Sequence, residues 1–177
     1  MLIYKFKEFI SWIRRDVPNF FRNIWKFRKA LKAHRWWDYH GTMRFIEIGI
    51  SDIATNIEKS GNEVAESRLK KVYQMKRAVE ILKNINDDRY FDIVEKELGG
   101  KLEVNIEWDP IAEDSNLYQM KNTNSDEQKE FNKKYCIRLR ELEESEWNEL
   151  WDILKGQAGA KEYGEKFDGT DLRGWWD

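Results

Sequence analysis

Apolar residues recur three and four positions apart along most of the chain, which is the spacing of one face of an α-helix. The longest run predicts a helix packed along its whole length, with apolar positions at Tyr39, Met43, Ile46, Ile50, Ile53 and Ile57. Ser60-Gly61-Asn62 ends this helix, and so short a connection makes the next helix an antiparallel neighbour. The apolar positions of that neighbour are Leu69, Val72, Met75, Val79 and Leu82.

The first 35 residues are predicted to form a helical hairpin. A first helix of about three turns is indicated by an apolar stripe at Ile3, Phe6, Ile10 and Ile13. Asp16-Val17-Pro18 is typical of a capping residue followed by proline in the first turn, so a second helix is predicted to start there. The apolar positions of this second helix are Phe20, Ile24, Phe27 and Leu31.

Beyond these helices the pattern becomes less regular. Asp87 or Asp88 is predicted to cap a short fifth helix that ends at Gly99-Gly100. Residues 102–107 alternate apolar and polar side chains, which predicts an extended segment. Because no second strand is evident and an isolated strand is unstable, we expect this segment to pair across an oligomer.

One more long helix completes the pattern. Residues 109–125 are polar and predict a loop, after which Ser125 is expected to cap a helix ending near Gly156. The fold class is therefore all-α: a compact bundle of five or six helices, with the third, fourth and last at its centre. Its predicted segments are the hairpin 1–35, the bundle core 36–155 and a glycine-punctuated C-terminal tail 156–177.

Composition narrows the class of protein. The chain has 177 residues, enough for one domain with appended arms, and 41% hydrophobic residues argue against general disorder. The single cysteine, Cys136, excludes an intrachain disulfide and a four-cysteine zinc site and fits a reducing compartment. No apolar run approaches the ~20 residues that span a bilayer, so we expect a cytoplasmic protein.

Charge is distributed unevenly. Residues 1–35 carry ten Lys or Arg and two acidic residues, a net charge of +8, whereas residues 99–177 carry eleven basic and nineteen acidic residues, a net charge of −8. Such a chain can dock its own ends together, pair head to tail with a copy, or use its basic arm for an anionic partner. This asymmetry and the nine tryptophans lead us to expect a homo-oligomer.

Signals for catalysis and metal binding are weak. His34 and His40 are the only histidines, and on a helix their spacing points them to different faces, so capping or interface roles are favoured over zinc. One alternative is an all-α nucleotide pyrophosphohydrolase, whose paired carboxylates hold Mg²⁺; the matching residues are Glu63, Glu66, Glu149 and Asp152. The same carboxylate spacing recurs elsewhere in this acid-rich chain, which favours solvated helix faces. No nucleophilic constellation or glycine-rich phosphate loop is evident, so a non-catalytic role without cofactor is favoured.

The basic, aromatic N-terminal region is the most specific binding signal. Cations neutralise phosphate and tryptophan stacks on bases, so an anionic, nucleotide-like ligand is the leading expectation. The candidate ligand-binding residues are Arg14, Arg15, Arg22, Arg35, Trp36, Trp37 and His40. Nucleic acid, a membrane surface that takes the apolar face, and a core that buries the aromatics remain open alternatives.

The C-terminal residues Trp175, Trp176 and Asp177 form a second candidate interaction site. Exposed tryptophans on a flexible tail are an aggregation hazard, so we expect them to dock. The basic N-terminal half is the expected receptor, most simply within the homo-oligomer.

Four short signatures together resemble a group of small helical proteins from tailed bacteriophages. They are Arg35-Trp36-Trp37-Asp38-Tyr39, the helix from Arg68-Leu69-Lys70-Lys71 to Ile81-Leu82, Asp87-Asp88-Arg89-Tyr90-Phe91 and the terminal Trp175-Trp176-Asp177. The resemblance covers most of residues 16–100 and the C-terminus, and it implies an accessory role in the host cytoplasm. A non-catalytic phage protein that sequesters a nucleotide-like immune signal is the leading hypothesis. Its alternatives are nucleic-acid binding, Mg²⁺-dependent pyrophosphohydrolysis, and attachment to a membrane surface or host protein.

Overall fold

A computed structural model describes residues 2–111, 117–156 and 171–175, and about three quarters of these lie in five helices. In chain order the elements are α1 (Leu2–Ala33), α2 (Tyr39–Ser60), α3 (Ala65–Asn86), α4 (Arg89–Leu98), β1 (Ile106–Pro110), β2 (Tyr118–Asn122), α5 (Asp126–Lys155) and a 3₁₀ turn at Leu172–Gly174. The predicted all-α class is confirmed, and a short antiparallel hairpin is added to it.

The chain divides into two compact units. One consists of the residues up to Asn86 together with those from Leu150 onward, and the other of Asp87–Glu149. These divisions differ from the predicted boundaries after residues 35 and 155. Most of α5 belongs to the second unit, and its last residues, from Leu150, belong to the first.

The pairing of the two central helices is confirmed by the packing of α2 against α3 in the first unit. Four α3 side chains have no exposed surface, namely Met75, Ala78, Ile81 and Leu82. The facing residues of α2 are smaller or branched and are also buried; they are Ile50, Ala54 and Ile57. This interface is the largest apolar core among the described residues.

The N-terminal part of α2 departs from the expected whole-length packing. Tyr39 is exposed, and its ring lies 4.2 Å from the ring of its neighbour His40 instead of in the core. Leu69, at the start of the α3 stripe, is exposed as well. Ile46, the third residue of the predicted α2 stripe, is exposed too. The apolar periodicity thus extends beyond the α2–α3 contact over about two turns at the start of α2 and at Leu69 in α3.

The predicted N-terminal hairpin is wrong, because α1 is one continuous helix with Pro18 inside it. Proline has no N–H to donate to the carbonyl of Arg14, which is the reason for expecting a helix boundary there. Both residues are exposed, so solvent can hydrate the carbonyl that Pro18 leaves free. The loss of one hydrogen bond does not outweigh continuation of the helix on both sides.

The last turns of α1 pack on α2. The rings of Phe27 and Phe45 stack with centroids 5.8 Å apart, and Ala30 is buried beside them. The Lys26 ammonium lies 2.5 Å from a carboxylate oxygen of Asp52. These contacts fix the C-terminal end of α1 to the first unit.

The second unit is built on α4 and the first half of α5. Tyr135 is fully buried, contacts the rings of Phe91 and Phe131, and donates a hydrogen bond of 3.0 Å to the Phe91 carbonyl. Burial raises the pKa of Tyr135, which keeps the hydroxyl protonated as a donor. Arg138 donates two hydrogen bonds to the Glu97 carboxylate, at 2.7 and 3.1 Å, and thereby lowers the pKa of Glu97.

The prediction for the extended segment 102–107 is corrected in its position and in its pairing partner. Strand β1 starts only at Ile106, and it pairs with β2 of the same chain, within the region predicted as a loop. Ahead of β1, the Asn105 carbonyl accepts from the Thr123 N–H at 3.0 Å, while the Asn105 N–H and the Glu103 carbonyl bond to side chains. The amide of Asn124 accepts from the Asn105 N–H at 2.6 Å and donates to the Glu103 carbonyl at 2.5 Å, and Asn132 donates to the same carbonyl.

Of two predicted helix N-caps, one forms its side-chain hydrogen bond and the other does not. Ser125 forms the expected reciprocal cap, since its hydroxyl accepts from the Gln128 N–H and the Gln128 side chain accepts from the Ser125 N–H, both at 3.2 Å. Asp88 occupies the N-cap position of α4, but its backbone is left-handed with φ 51° and its side chain makes no capping hydrogen bond. At the other end, Gly99 ends α4 as predicted, with φ 70°.

We expect Met75→Ala to lower the free energy of unfolding by about 2–5 kcal/mol, because it opens a cavity in the α2–α3 core. Leu69→Ala, on the exposed side of the same helix, is the control and should cost under about 1 kcal/mol. Urea denaturation followed by circular dichroism measures both. Equal losses for the two variants would contradict the assigned core.

Candidate functional site

The predicted ligand-binding residues fall on two adjoining parts of the first unit. Arg14, Arg15 and Arg22 lie on the exposed surface of α1. The other four belong to the connection between α1 and α2 and to the first turn of α2; they are Arg35, Trp36, Trp37 and His40. All except the half-buried His40 are exposed.

Some of these cations already have neighbours on α1. The Arg15 guanidinium donates to the Asp16 carboxylate at 2.9 Å, and this hydrogen bond raises the pKa of Arg15. Arg22 donates to the side-chain oxygen of Asn19 at 2.8 Å. Because exposed pairs of this kind are weak, both guanidinium groups stay available to an external anion.

The α1–α2 connection displays two indoles. Trp36 is 87% and Trp37 68% exposed, and their rings meet edge to face with centroids 5.4 Å apart. The Arg35 guanidinium donates to the carbonyls of Lys32 and His34, at 3.2 and 2.9 Å, and so caps the end of α1. Indoles as exposed as these do not line an enclosed cavity, and the arrangement is a surface patch rather than a pocket.

The region around the two histidines has a structural role. Asp38 caps α2 by accepting a hydrogen bond of 3.0 Å from the His40 N–H. The His34 ring packs edge to face against Phe45. Within the described part of the chain, no group of three His, Cys, Asp or Glu side chains is placed to hold a metal ion.

The carboxylates of the Mg²⁺ alternative have basic partners instead. Glu63 accepts from the ammonium of the buried Lys71 and from the Ser67 hydroxyl, and the Lys71 hydrogen bond lowers the pKa of Glu63. Glu66 and Asp152 form exposed ion pairs with lysines one helical turn away, at 3.4 and 2.8 Å. Glu149, the fourth residue, lies half-buried on α5. The four residues are not brought together as a metal site in the described ranges.

The structure joins the two predicted apolar stripes of α1 into one continuous stripe, which was not predicted from the sequence. The stripes on either side of Pro18 join through Val17, which gives spacings of four, three, four, three and four from Ile13 to Leu31. Only Phe27, stacked on Phe45, has a ring partner on α2. The stripe members that are exposed along the helix are Ile13, Phe20, Ile24 and Leu31. The signal was present in the spacing, but Asp16-Val17-Pro18 was interpreted as a boundary.

Basic residues occupy the opposite side of the same helix. Arg15, Arg22 and Lys29 each follow a stripe residue by two positions, which is about 200° around an α-helix. Over its whole length α1 has nine basic and two acidic residues, a net charge of +7. The helix therefore separates an exposed apolar face from a cationic one.

The C-terminal segment supplies a buried indole. Trp175 is only 4% exposed and follows a 3₁₀ turn in which the Gly174 N–H donates to the Asp171 carbonyl at 2.9 Å. Its burial occurs within a single chain, so docking of this residue does not require the oligomer that we expected. A Cβ on Gly156 would lie 2.5 Å from the Asp171 carboxylate, which shows how closely the segment approaches the end of α5. Trp176 and Asp177 lie outside the described residues.

No protein-family model, curated protein or solved structure matches this chain. The resemblance to phage proteins thus rests on the quoted signatures and stays a prediction.

Glu63→Ala should lower the free energy of unfolding by about 1–3 kcal/mol, because it leaves the buried Lys71 ammonium without its carboxylate. The matched control is Glu66→Ala, whose exposed pair contributes at most about 0.5 kcal/mol. Since the pKa of Glu63 is lowered by folding, its contribution is complete above the unfolded-state value and is lost as pH falls through the lowered pKa. Denaturation between neutral and acidic pH measures this, and Mg²⁺-dependent stabilisation that both variants abolish would instead support the enzyme alternative.

Trp175→Ala should destabilise the protein by about 3–5 kcal/mol, the usual cost of removing a buried indole. The exposed neighbour Leu172 provides the control, and Leu172→Ala should be nearly neutral. Thermal unfolding compares the two variants. A Trp175 variant as stable as the wild type would mean that the tail is not docked in solution.

Proposed function

We propose that this is a non-catalytic binding protein that attaches to an anionic membrane surface through α1. The observation that supports this is the separation of an exposed apolar stripe from a cationic face on one continuous helix. Helices that lie in the plane of a membrane interface have this distribution, with aromatic and aliphatic residues on one face and Lys or Arg on the other.

The apolar face of α1 is the part that inserts into the membrane. Each exposed side chain of the stripe gains on the order of 1 kcal/mol when the acyl region covers its remaining surface. Trp12 and Trp25 are exposed on the two flanks of the stripe, at the border with the cationic face. Indoles favour this depth, because the ring is apolar while its N–H stays among the headgroups.

The cationic face of α1 makes the attachment selective for anionic lipids. Each Lys or Arg close to an anionic surface contributes about 1 kcal/mol, and α1 has a net charge of +7. The exposed Trp36 and Trp37 continue the aromatic surface beyond the end of the helix. No helix in the described ranges is long and apolar enough to cross a bilayer, so attachment means lying on the surface.

A membrane surface accounts for the exposed aliphatic residues of α1 better than the nucleotide-like ligand expected from the sequence. Aliphatic residues such as Ile24 and Leu31 cannot stack on bases, and the stripe faces away from Arg15 and Arg22, which would hold phosphate. Sites for small ligands are concave, whereas α1 and the exposed indoles form a convex surface.

Flotation with phospholipid vesicles tests the proposal. The wild type should float with vesicles that contain phosphatidylserine, and much less with pure phosphatidylcholine vesicles or at high salt. Ile24→Glu places a charge in the stripe and should reduce the floated fraction at least tenfold. Asn23→Glu makes the same charge change at the adjacent exposed position and is the matched control, with a loss of threefold or less.

Two outcomes would overturn the proposal. One is equal loss of flotation in both variants, which would show that charge alone matters. The other is the absence of flotation together with salt-sensitive retardation of an oligonucleotide, which would favour the nucleic-acid alternative. A thermal shift with a mononucleotide in the absence of lipid would favour the sequestering hypothesis.

A further inference from the structure

The β1–β2 hairpin has two chemically different faces. In its antiparallel register Ile106 lies opposite Asn122, Trp108 opposite Met120, and Pro110 opposite Tyr118. Cross-strand partners project on the same side of a sheet, so these six residues share one face, which we call the Trp108 face. None of the six carries a charge.

The other face of the hairpin is polar. It presents Glu107 opposite Lys121 and Asp109 opposite Gln119, and the Lys121 ammonium lies 3.5 Å from an Asp109 carboxylate oxygen. The alternation is that of a sheet with one side meant for burial and one for water.

The Trp108 face is uncovered in the single chain. Its four large side chains are between 43% and 62% exposed, and these are Ile106, Trp108, Tyr118 and Met120. An isolated two-stranded hairpin is marginally stable in water, and hairpins persist when an apolar face is packed. The hairpin has the residue pattern of an interface element, and the part of the chain that the structure describes leaves its large side chains exposed.

We propose that the Trp108 face is a homodimer interface, in which a second copy of this chain packs its own Trp108 face against it. A two-fold arrangement places uncharged side chains against each other and leaves Glu107, Asp109 and Lys121 in water on the outside. Trp108 and Met120 of one copy meet the same pair of the other, a sulfur–aromatic combination that packs well.

The charge of the second unit disfavours an anionic membrane, the occupant proposed for α1, as the partner of the Trp108 face. Asp87–Glu149 has nine basic and eighteen acidic residues, so an anionic lipid surface repels the unit that carries the hairpin. Two such units also repel each other, so the dimer should be stronger at higher ionic strength, where this repulsion is screened. What favours a second copy is the match of one uncharged apolar face with an identical one.

The available area fits a dimer of moderate strength. The four large side chains expose on the order of 100 Å² each, and two copies with Pro110 included bury about 1,000 Å² in total. This is the lower limit for a specific interface.

Sedimentation velocity without lipid tests this independently of the function proposed for α1. The wild type should shift from the 21.4 kDa chain to twice that mass between about 1 and 100 µM. Trp108→Glu and Met120→Glu should each weaken the dimer at least tenfold, with helical circular dichroism unchanged. Gln119→Lys places a single charge on the polar face opposite Asp109, where it makes no like-charge pair, and it should leave the dimer intact.

The α1 variant Ile24→Glu serves as a second control. It should remain dimeric, because the proposed interface lies in the other unit. A monomeric wild type at the highest concentration would overturn the proposal. So would a dimer that survives both Trp108→Glu and Met120→Glu, or one that Ile24→Glu dissociates while the hairpin variants do not.

Discussion

The contact of α2 with α3 is the constraint on which the first unit depends. Four α3 side chains have no solvent access at all, and they retain this only while α2 covers them. The buried polar groups follow from the same contact. Glu47 on α2 accepts hydrogen bonds of 2.8 Å from Arg44 and from the side chain of Asn86, the last residue of α3. A shift between the helices would remove the Asn86 donor and leave the buried carboxylate with only Arg44 of its own helix, which opposes such a shift.

The exposed apolar face of α1 is continuous because the helix continues through Pro18. Proline at position 18 disfavours the helix by one hydrogen bond, yet the residues on both sides are helical, and the chain keeps a single axis. With a break at Pro18 the two apolar stripes would face each other and bury themselves in a hairpin. As one helix they form a single exposed face instead, anchored at one end by the Phe27–Phe45 stack.

Local periodicity was sufficient to predict α2, α3 and the capping of α5 at Ser125, since each depends on residues within a few turns. The β-hairpin was not accessible in this way. Its second strand lies in a polar stretch, and its register depends on Asn124 holding Glu103 and Asn105 from some twenty residues away. For the candidate site, the cations were identified from composition. The apolar stripe was predicted in two halves, but its continuity and exposure were not, because exposure depends on which tertiary neighbours cover the helix.

Pro18 also divides α1 into two segments of different opening kinetics. The carbonyl of Arg14 accepts no hydrogen bond from position 18, because proline has no N–H, so the helix is weakest one turn before the proline. The part after Pro18 opens only when the Phe27–Phe45 stack separates, whereas the part before it can fray on its own. We therefore expect amide hydrogens in the first turns to exchange through local opening, and those near Phe27 to exchange through unfolding of the unit. We thus expect one geometrically continuous helix whose two segments open separately.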